Sequence, residues 1–168
     1  FCEIACIDGA FLPIKEVTVL VTSSTFLFGE AAFTTVRVFE GKVEYFEEHF
    51  ARLQKTALQL GVAFPPFNTS WIDRLIQENQ AQKGFWRLKI IIGEALYLLL
   101  EPYTQKKGKV KLGIYPTPVV RPTAHFKTLS YLDRRWISSY AKETGVDDVV
   151  VLDENGYILE TAFSNIYW

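Results

Sequence analysis

Few side chains in this sequence stand where chemistry would be expected of them. Arg52 follows Glu48 by four residues within a helical pattern, the spacing of a surface ion pair. Lys127 follows an extended, proline-bearing stretch, where a lysine is ordinarily solvated, and Glu160 ends a hairpin, where a carboxylate is ordinarily at the surface. The histidines are His49 and His125 and the cysteines Cys2 and Cys6, so no quartet of metal ligands is visible. Cys2, Ile4 and Cys6 alternate with Glu3 and Ala5 as in a half-buried strand, which predicts two reduced, buried thiols. No P-loop, dinucleotide fingerprint, nucleophile elbow or zinc-protease motif occurs. Taken one at a time, these residues point to no reaction.

The elements that must position them are easier to read. Residues 2–7 and 11–14 are expected as strands around an Asp8-Gly9 turn, and residues 33–39 and 42–46 as strands around Glu40-Gly41. Residues 47–60 carry an apolar stripe at helical spacing, open on Glu47 and Glu48 and stop at Gly61. Pro65-Pro66 break the chain before a second helix running to about residue 82. Residues 85–92, 95–103 and 109–115 are rich in β-branched and aromatic side chains and read as strands. Pro116, Pro118 and Pro122 keep the next stretch extended. A third helix is expected over 130–143, a hairpin over 148–152 and 157–159 around Asn155-Gly156, and a further strand over 162–168. This pattern is α+β. It predicts an N-terminal two-layer domain over 1–115, a linker over 116–126 and the beginning of a second α/β domain over 127–168.

Composition narrows the class of function. The chain has 168 residues, 18 basic and 19 acidic, with a net charge of −1, 49% apolar and 22% charged residues. This is the balance of a globular chain able to bury a core without disulfides. It offers no general attraction for nucleic acid or for anionic lipid. The longest apolar runs, such as 95–100, are too short to span a membrane, no signal peptide is apparent, and a cytoplasmic location is expected. Met is absent, the first residue is Phe1, and the final predicted strand has no partner, so a piece of a longer protein is expected.

The linear order of several blocks adds what single residues lack. Phe28-Gly29-Glu30-Ala31-Ala32-Phe33-Thr34-Thr35-Val36-Arg37-Val38, then Gly41-Lys42, then His49-Phe50-Ala51-Arg52-Leu53, resemble the N-terminal signature of the class IV, fold-type IV pyridoxal-phosphate enzymes. So do Lys127-Thr128-Leu129-Ser130-Tyr131-Leu132, the stretch from Asp153 to Glu160, and Ser164-Asn165-Ile166-Tyr167-Trp168. The family contains branched-chain aminotransferases, D-amino-acid aminotransferases and 4-amino-4-deoxychorismate lyases. Its aminotransferases usually carry Glu after the Phe of the first block. The form Phe33-Thr34-Thr35-Val36-Arg37-Val38 looks like that of the lyases.

The resemblance implies roles for particular residues. Lys127 matches the family's Schiff-base lysine, whose amine, once released by the substrate, can move protons. Glu160 matches the partner of the pyridine nitrogen, and a carboxylate there favours the protonated ring. Arg52 matches the phosphate-binding arginine, whose planar fork suits phosphate oxygens. Tyr131 resembles a tyrosine that bonds the cofactor's phenolic oxygen in some members, and an aromatic core residue is an equally good reading. For the substrate, Arg37 is the natural carboxylate ligand, Thr34 and Thr35 are candidates to orient its ring, and Arg87 and Lys89 are weaker carboxylate candidates. Strand alternation allows only one of the two threonines to face the site.

Other positions depart from the family's pattern. Ser23-Ser24 stand where an Asp-Arg pair is common, Gly29-Glu30-Ala31 where Gly-Asp-Gly is usual, Ser130 where Asn is usual, and the loop after Ile92 is cut to Gly93-Glu94. These changes spare Lys127, Arg52 and Glu160. The implied activity is a pyridoxal-phosphate-dependent lyase of folate biosynthesis that converts 4-amino-4-deoxychorismate into 4-aminobenzoate and pyruvate. Transamination of a branched-chain or D-amino acid is the alternative. A catalytically silent binding module is a third, disfavoured by the intact cofactor residues. The family also implies a homodimer acting on a small molecule.

Overall fold

In the computed structural model, which describes residues 3–104 and 108–167, the first elements are the hairpin that Asp8-Gly9 calls for. Strands β1 (Ile4–Ile7) and β2 (Ala10–Pro13) pair antiparallel. The turn takes φ of 49° at Asp8 and 87° at Gly9, the doubly left-handed geometry that follows strand twist. A Cβ on Gly9 would stand 2.7 Å from the Trp71 ring, so both backbone and space demand glycine. Cys2, expected in this strand, lies outside the described residues. Cys6 is fully buried, and burial pushes its thiol pKa up, which makes it a core residue of low reactivity.

A 3-10 turn (Ile14–Glu16) follows, then a short helix α1 (Ser24–Phe28) that the sequence pattern did not announce. Five residues are too few to show a period. The signals are its ends: Ser23 Oγ accepts from the Phe26 N–H at 3.1 Å, and Gly29 closes the helix at φ 69°.

Strands β3 (Ala32–Phe39), β4 (Lys42–Val43), β5 (Phe85–Ile92) and β6 (Leu96–Pro102) complete an antiparallel sheet in the order β2-β1-β6-β5-β3-β4. Helices α2 (Phe46–Leu60) and α3 (Ser70–Glu78) supply Leu53, Ala57, Ile72, Leu75 and Ile76 to a core shared with Val38, Leu88, Ile90, Leu98 and Leu100. β4 is shorter than the expected 42–46 because α2 already begins at Phe46. α3 stops at Glu78 rather than near 82. Asn79 turns its amide to both backbone groups of Ile4, each at 2.9 Å, and Gln80 adopts φ 53°. The helix end thus satisfies the backbone of β1.

A second unit is formed by β7 (Leu112–Ile114), α4 (Leu132–Glu143), β8 (Asp148–Leu152) and β9 (Ile158–Thr161). β8 pairs parallel with β7 and antiparallel with β9. Ile137 and Ala141 of α4 pack on Val149, Val151 and Ala162. The strand expected over 109–115 therefore belongs to this sheet and not to the first domain. Residues 162–167 form no strand. Thr161 and Ser164 exchange backbone and hydroxyl hydrogen bonds of 2.9 to 3.1 Å, which turns the chain. Trp168 is outside the described residues.

By contacts the first unit comprises residues 3–104 with 126–129, and the second 108–125 with 130–167. The expected boundary after residue 126 is displaced, because Lys127–Leu129 joins the first sheet. Phe33 N–H donates to the Lys127 carbonyl at 2.8 Å, Leu129 N–H to that of Ala31 at 3.2 Å, and Thr128 bridges Ala32. No helix among the described residues is long and apolar enough to cross a membrane.

Candidate active site

Strand β3 sorts its side chains by parity. Ala32, Val36 and Val38 are fully buried, Ala32 and Val38 in the core with α2 and α3, while Arg37 and Phe39 are exposed. Thr34 shares the parity of the core residues and is fully buried. Its hydroxyl accepts from Arg52 Nη2 at 2.9 Å and lies 3.0 Å from His49 Nδ1, which is itself 3.1 Å from Arg52 Nη2. Burial, the Arg52 charge and to a lesser degree the Lys127 charge hold the His49 imidazole below its ordinary pKa, against Glu48. A neutral ring leaves Nδ1 free to accept. Thr34 is therefore a ligand of Arg52, and of the two threonines it is Thr35 that lies on the strand's other face.

That other face gathers cations. The bridge to Ala32 places Lys127 beside Phe33, with its Nζ 5.1 Å from the ring centre, and Lys89 Nζ lies 4.9 Å from the same ring. Lys89 is directly opposite Thr35, and Arg87 opposite Arg37. Burial depresses the Lys89 pKa, with Lys127 adding to the effect and Glu101 opposing it. Arg37 is ion-paired to Glu44, and Arg87 to Glu101 at 3.0 Å. Arg37 and Arg87 thus already have acidic partners, and Lys89 is the more sheltered of the three cations. A cavity of about 420 Å³ within the same unit is lined by Val17, Phe26, Ile91, Tyr97, Leu99 and Leu129.

Glu160 and Tyr131 belong to the second unit. Glu160 on β9 is opposite Val151 on β8 and is met by Arg134 Nη2 at 2.5 Å and Arg121 Nη1 at 3.6 Å. Tyr131 precedes α4, and its ring stacks on Phe163 with centres 6.2 Å apart. Sequence reasoning did not single out Arg121 or Arg134. Neither stands in a motif, and their meeting with Glu160 joins positions 26 or more residues apart. His49 did carry a signal, being three residues before Arg52 on one helix.

Across residues 31–168 the chain matches the family described as amino-transferase class IV, and it belongs to that family. A Methanocaldococcus jannaschii protein named "Putative branched-chain-amino-acid aminotransferase" is 24% identical over 184 residues, covering 96% of this chain and 63% of its own. The Escherichia coli branched-chain aminotransferase structure superposes with a TM-score of 0.78 at 20% identity, over 96% of this chain and 62% of that one. A structure named "Putative 4-amino-4-deoxychorismate lyase" superposes at 0.69 with 24% identity, over 87% and 63% of the two chains. The chain thus spans about 63% of the length of the relatives it matches. The fold is that of the class IV aminotransferases, mixed α+β, and pyridoxal phosphate is the cofactor of the family.

Proposed function

We propose that this protein is a pyridoxal-phosphate-dependent lyase that converts 4-amino-4-deoxychorismate into 4-aminobenzoate and pyruvate. The residues present suit the cofactor. Arg52 spends Nη2 on Thr34 and His49, and its Nε and Nη1 have no partner among the described residues, which leaves charged N–H donors for phosphate oxygens. Lys127 supplies the amine and Glu160 the carboxylate for the ring nitrogen. The bound cofactor withdraws electrons from the carbon that carries the substrate's amino group. The Lys127 amine then takes the proton from that carbon, the bond to the enolpyruvyl oxygen breaks, and the enol leaves to become pyruvate. Aromatisation of the six-membered ring drives the step.

The observation that carries this reading is the Phe33 ring, whose centre lies 5.1 Å from Lys127 Nζ and 4.9 Å from Lys89 Nζ. A proton-carrying amine beside a sheltered cation on an aromatic floor suits an apolar ring bearing carboxylates. Phe33-Thr34-Thr35, without the glutamate usual in the aminotransferases, supports it further. In the holoenzyme given 4-amino-4-deoxychorismate and no keto acid, equal amounts of 4-aminobenzoate and pyruvate are expected, and Lys127→Ala abolishes both. Full activity in Lys127→Ala, or borohydride attachment at another residue, overturns the reading.

The aminotransferase names of the relatives favour a second reading, transamination of a branched-chain or D-amino acid on the same cofactor residues. It predicts conversion of the cofactor to its pyridoxamine form by an amino acid alone. The reading also includes a homodimer, which sedimentation of the holoenzyme tests.

A further inference from the structure

Glu160 leaves β9 on the side where Val151 contributes to the core with Ile137 and Ala141 of α4. Two guanidinium groups meet it, both at Oε1: Arg134 Nη2 donates at 2.5 Å and Arg121 Nη1 lies at 3.6 Å. Oε2 has no partner among the described residues. Arg134 is itself locked in place. Its Nη1 donates to the carbonyls of Thr161 at 3.4 Å and Ala162 at 3.2 Å, and its guanidinium carbon lies 5.7 Å from the centre of the Tyr131 ring. Arg121 is ion-paired to Asp133. Both arginine side chains are only 14% exposed, and Arg121 Nη2 is buried with no hydrogen-bond partner among the described residues.

For stability alone this is a poor arrangement. Desolvating two guanidinium groups costs as much as their pairing returns, apolar side chains of similar volume serve as well or better, and the unpartnered Nη2 adds a further penalty. What the arrangement achieves is direction. A carboxylate gripped at one oxygen by a fork tied to the backbone has its plane fixed. The paired acids Asp133 and Glu160 balance the two arginines, so no net positive charge accumulates at the clamp.

We propose that Arg121 and Arg134 are positioning residues that grip Glu160 by Oε1 and present Oε2 as the acceptor for the protonated ring nitrogen of pyridoxal phosphate. This rests on the reading of Glu160 given above. The arginines act through Glu160 and make no contact with the cofactor.

The test uses the holoenzyme carrying pyridoxal phosphate labelled with ¹⁵N in the ring, whose chemical shift reports protonation of that nitrogen. Glu160→Gln is expected to move the resonance towards the unprotonated position. Arg134→Met moves it part of the way in the same direction, Arg121→Met by less, and Arg134→Lys brings it back towards wild type. If Glu160→Gln leaves the resonance unmoved, the reading of Glu160 falls. If Glu160→Gln moves it and both methionine variants leave it in place, or move it towards fuller protonation, the clamp falls alone. A shift in Arg134→Met that Arg134→Lys does not reverse at all also overturns the clamp. Should Arg134→Met fail to fold, Arg134→Lys and Arg121→Met decide: a wild-type resonance in both refutes it.

Discussion

Arg52 Nη2 lies 2.9 Å from Thr34 Oγ1, so helix α2 is tied to strand β3 through a guanidinium and a buried hydroxyl. The bond fixes the guanidinium through Nη2 and leaves Nε and Nη1 without a partner among the described residues. His49 completes the tie, since its Nδ1 approaches both partners. Thr34→Val keeps the shape of the side chain and removes the hydroxyl. We expect a stability loss of about 0.5–1.5 kcal/mol, the net worth of a hydrogen bond whose remaining partners, Arg52 and His49, water can still reach. The urea midpoint should fall with an unchanged slope. If Arg52 holds phosphate, the variant also binds pyridoxal phosphate about tenfold more weakly, a change of about 1.4 kcal/mol. Its affinity for pyridoxal, which has no phosphate, stays at the wild-type value.

The same triad predicts a pH dependence. An unfolded histidine titrates near 6.5, and in the fold burial and the Arg52 charge hold His49 below that value. The unfolded chain therefore binds the proton first, and stability rises with pH wherever that difference persists. The contribution is fully present above 6.5, is lost as pH falls towards the native value, and is gone below it. The thermal midpoint of His49→Asn should change less than that of wild type between about pH 7.5 and 5. Parallel curves would show that another group is responsible.

Lys89 and Arg37 should separate in a substrate assay. Lys89 is half-buried beside Phe33, whereas Arg37 is half-exposed and already paired with Glu44. Lys89→Gln should lower kcat/KM for a carboxylate-bearing substrate by about tenfold to a hundredfold, the worth of a sheltered charge-assisted hydrogen bond. Arg37→Gln should cost less than about tenfold, as expected of an exposed ion pair. The reverse order would return Arg37 to first place as the carboxylate ligand.

Packing in the first unit can be checked without any ligand. Leu98 is fully buried on β6, between β1 and β5, whereas Leu58 on α2 is 81% exposed. Leu98→Ala should cost about 2–5 kcal/mol through the cavity it leaves, and Leu58→Ala no more than about 0.5 kcal/mol. Denaturant unfolding of the two variants gives both values.

Much of this protein is written in local pattern. Asp8-Gly9 and Glu40-Gly41 take left-handed φ angles at both residues, as their hairpins require. The apolar stripe of residues 47–60 became α2, ended by Gly61, because a helix must bury one face and a glycine can close it. The order of the blocks around Arg52, Lys127 and Glu160 was enough to indicate the family, since those signals depend on residue type and spacing along the chain.

Where sequence failed to assign a segment to its sheet or a charge to its partner, the deciding residue lay far away in the chain. Residues 112–114 joined the second sheet because their hydrogen-bond partners are in β8, and Lys127–Leu129 joined the first through Ala31 and Phe33. Thr34 and Thr35 are equivalent as letters, and pairing with β5 together with the seat of α2 sent one to Arg52 and the other to Lys89. Arg121 and Arg134 became partners of Glu160 only when α4 packed on β8. The amino-acid sequence by itself determined the hairpins, the three longer helices and the residue types available for chemistry. Tertiary structure alone decided which faces and which charges meet, because those contacts form between segments whose separation along the chain carries no periodic signal.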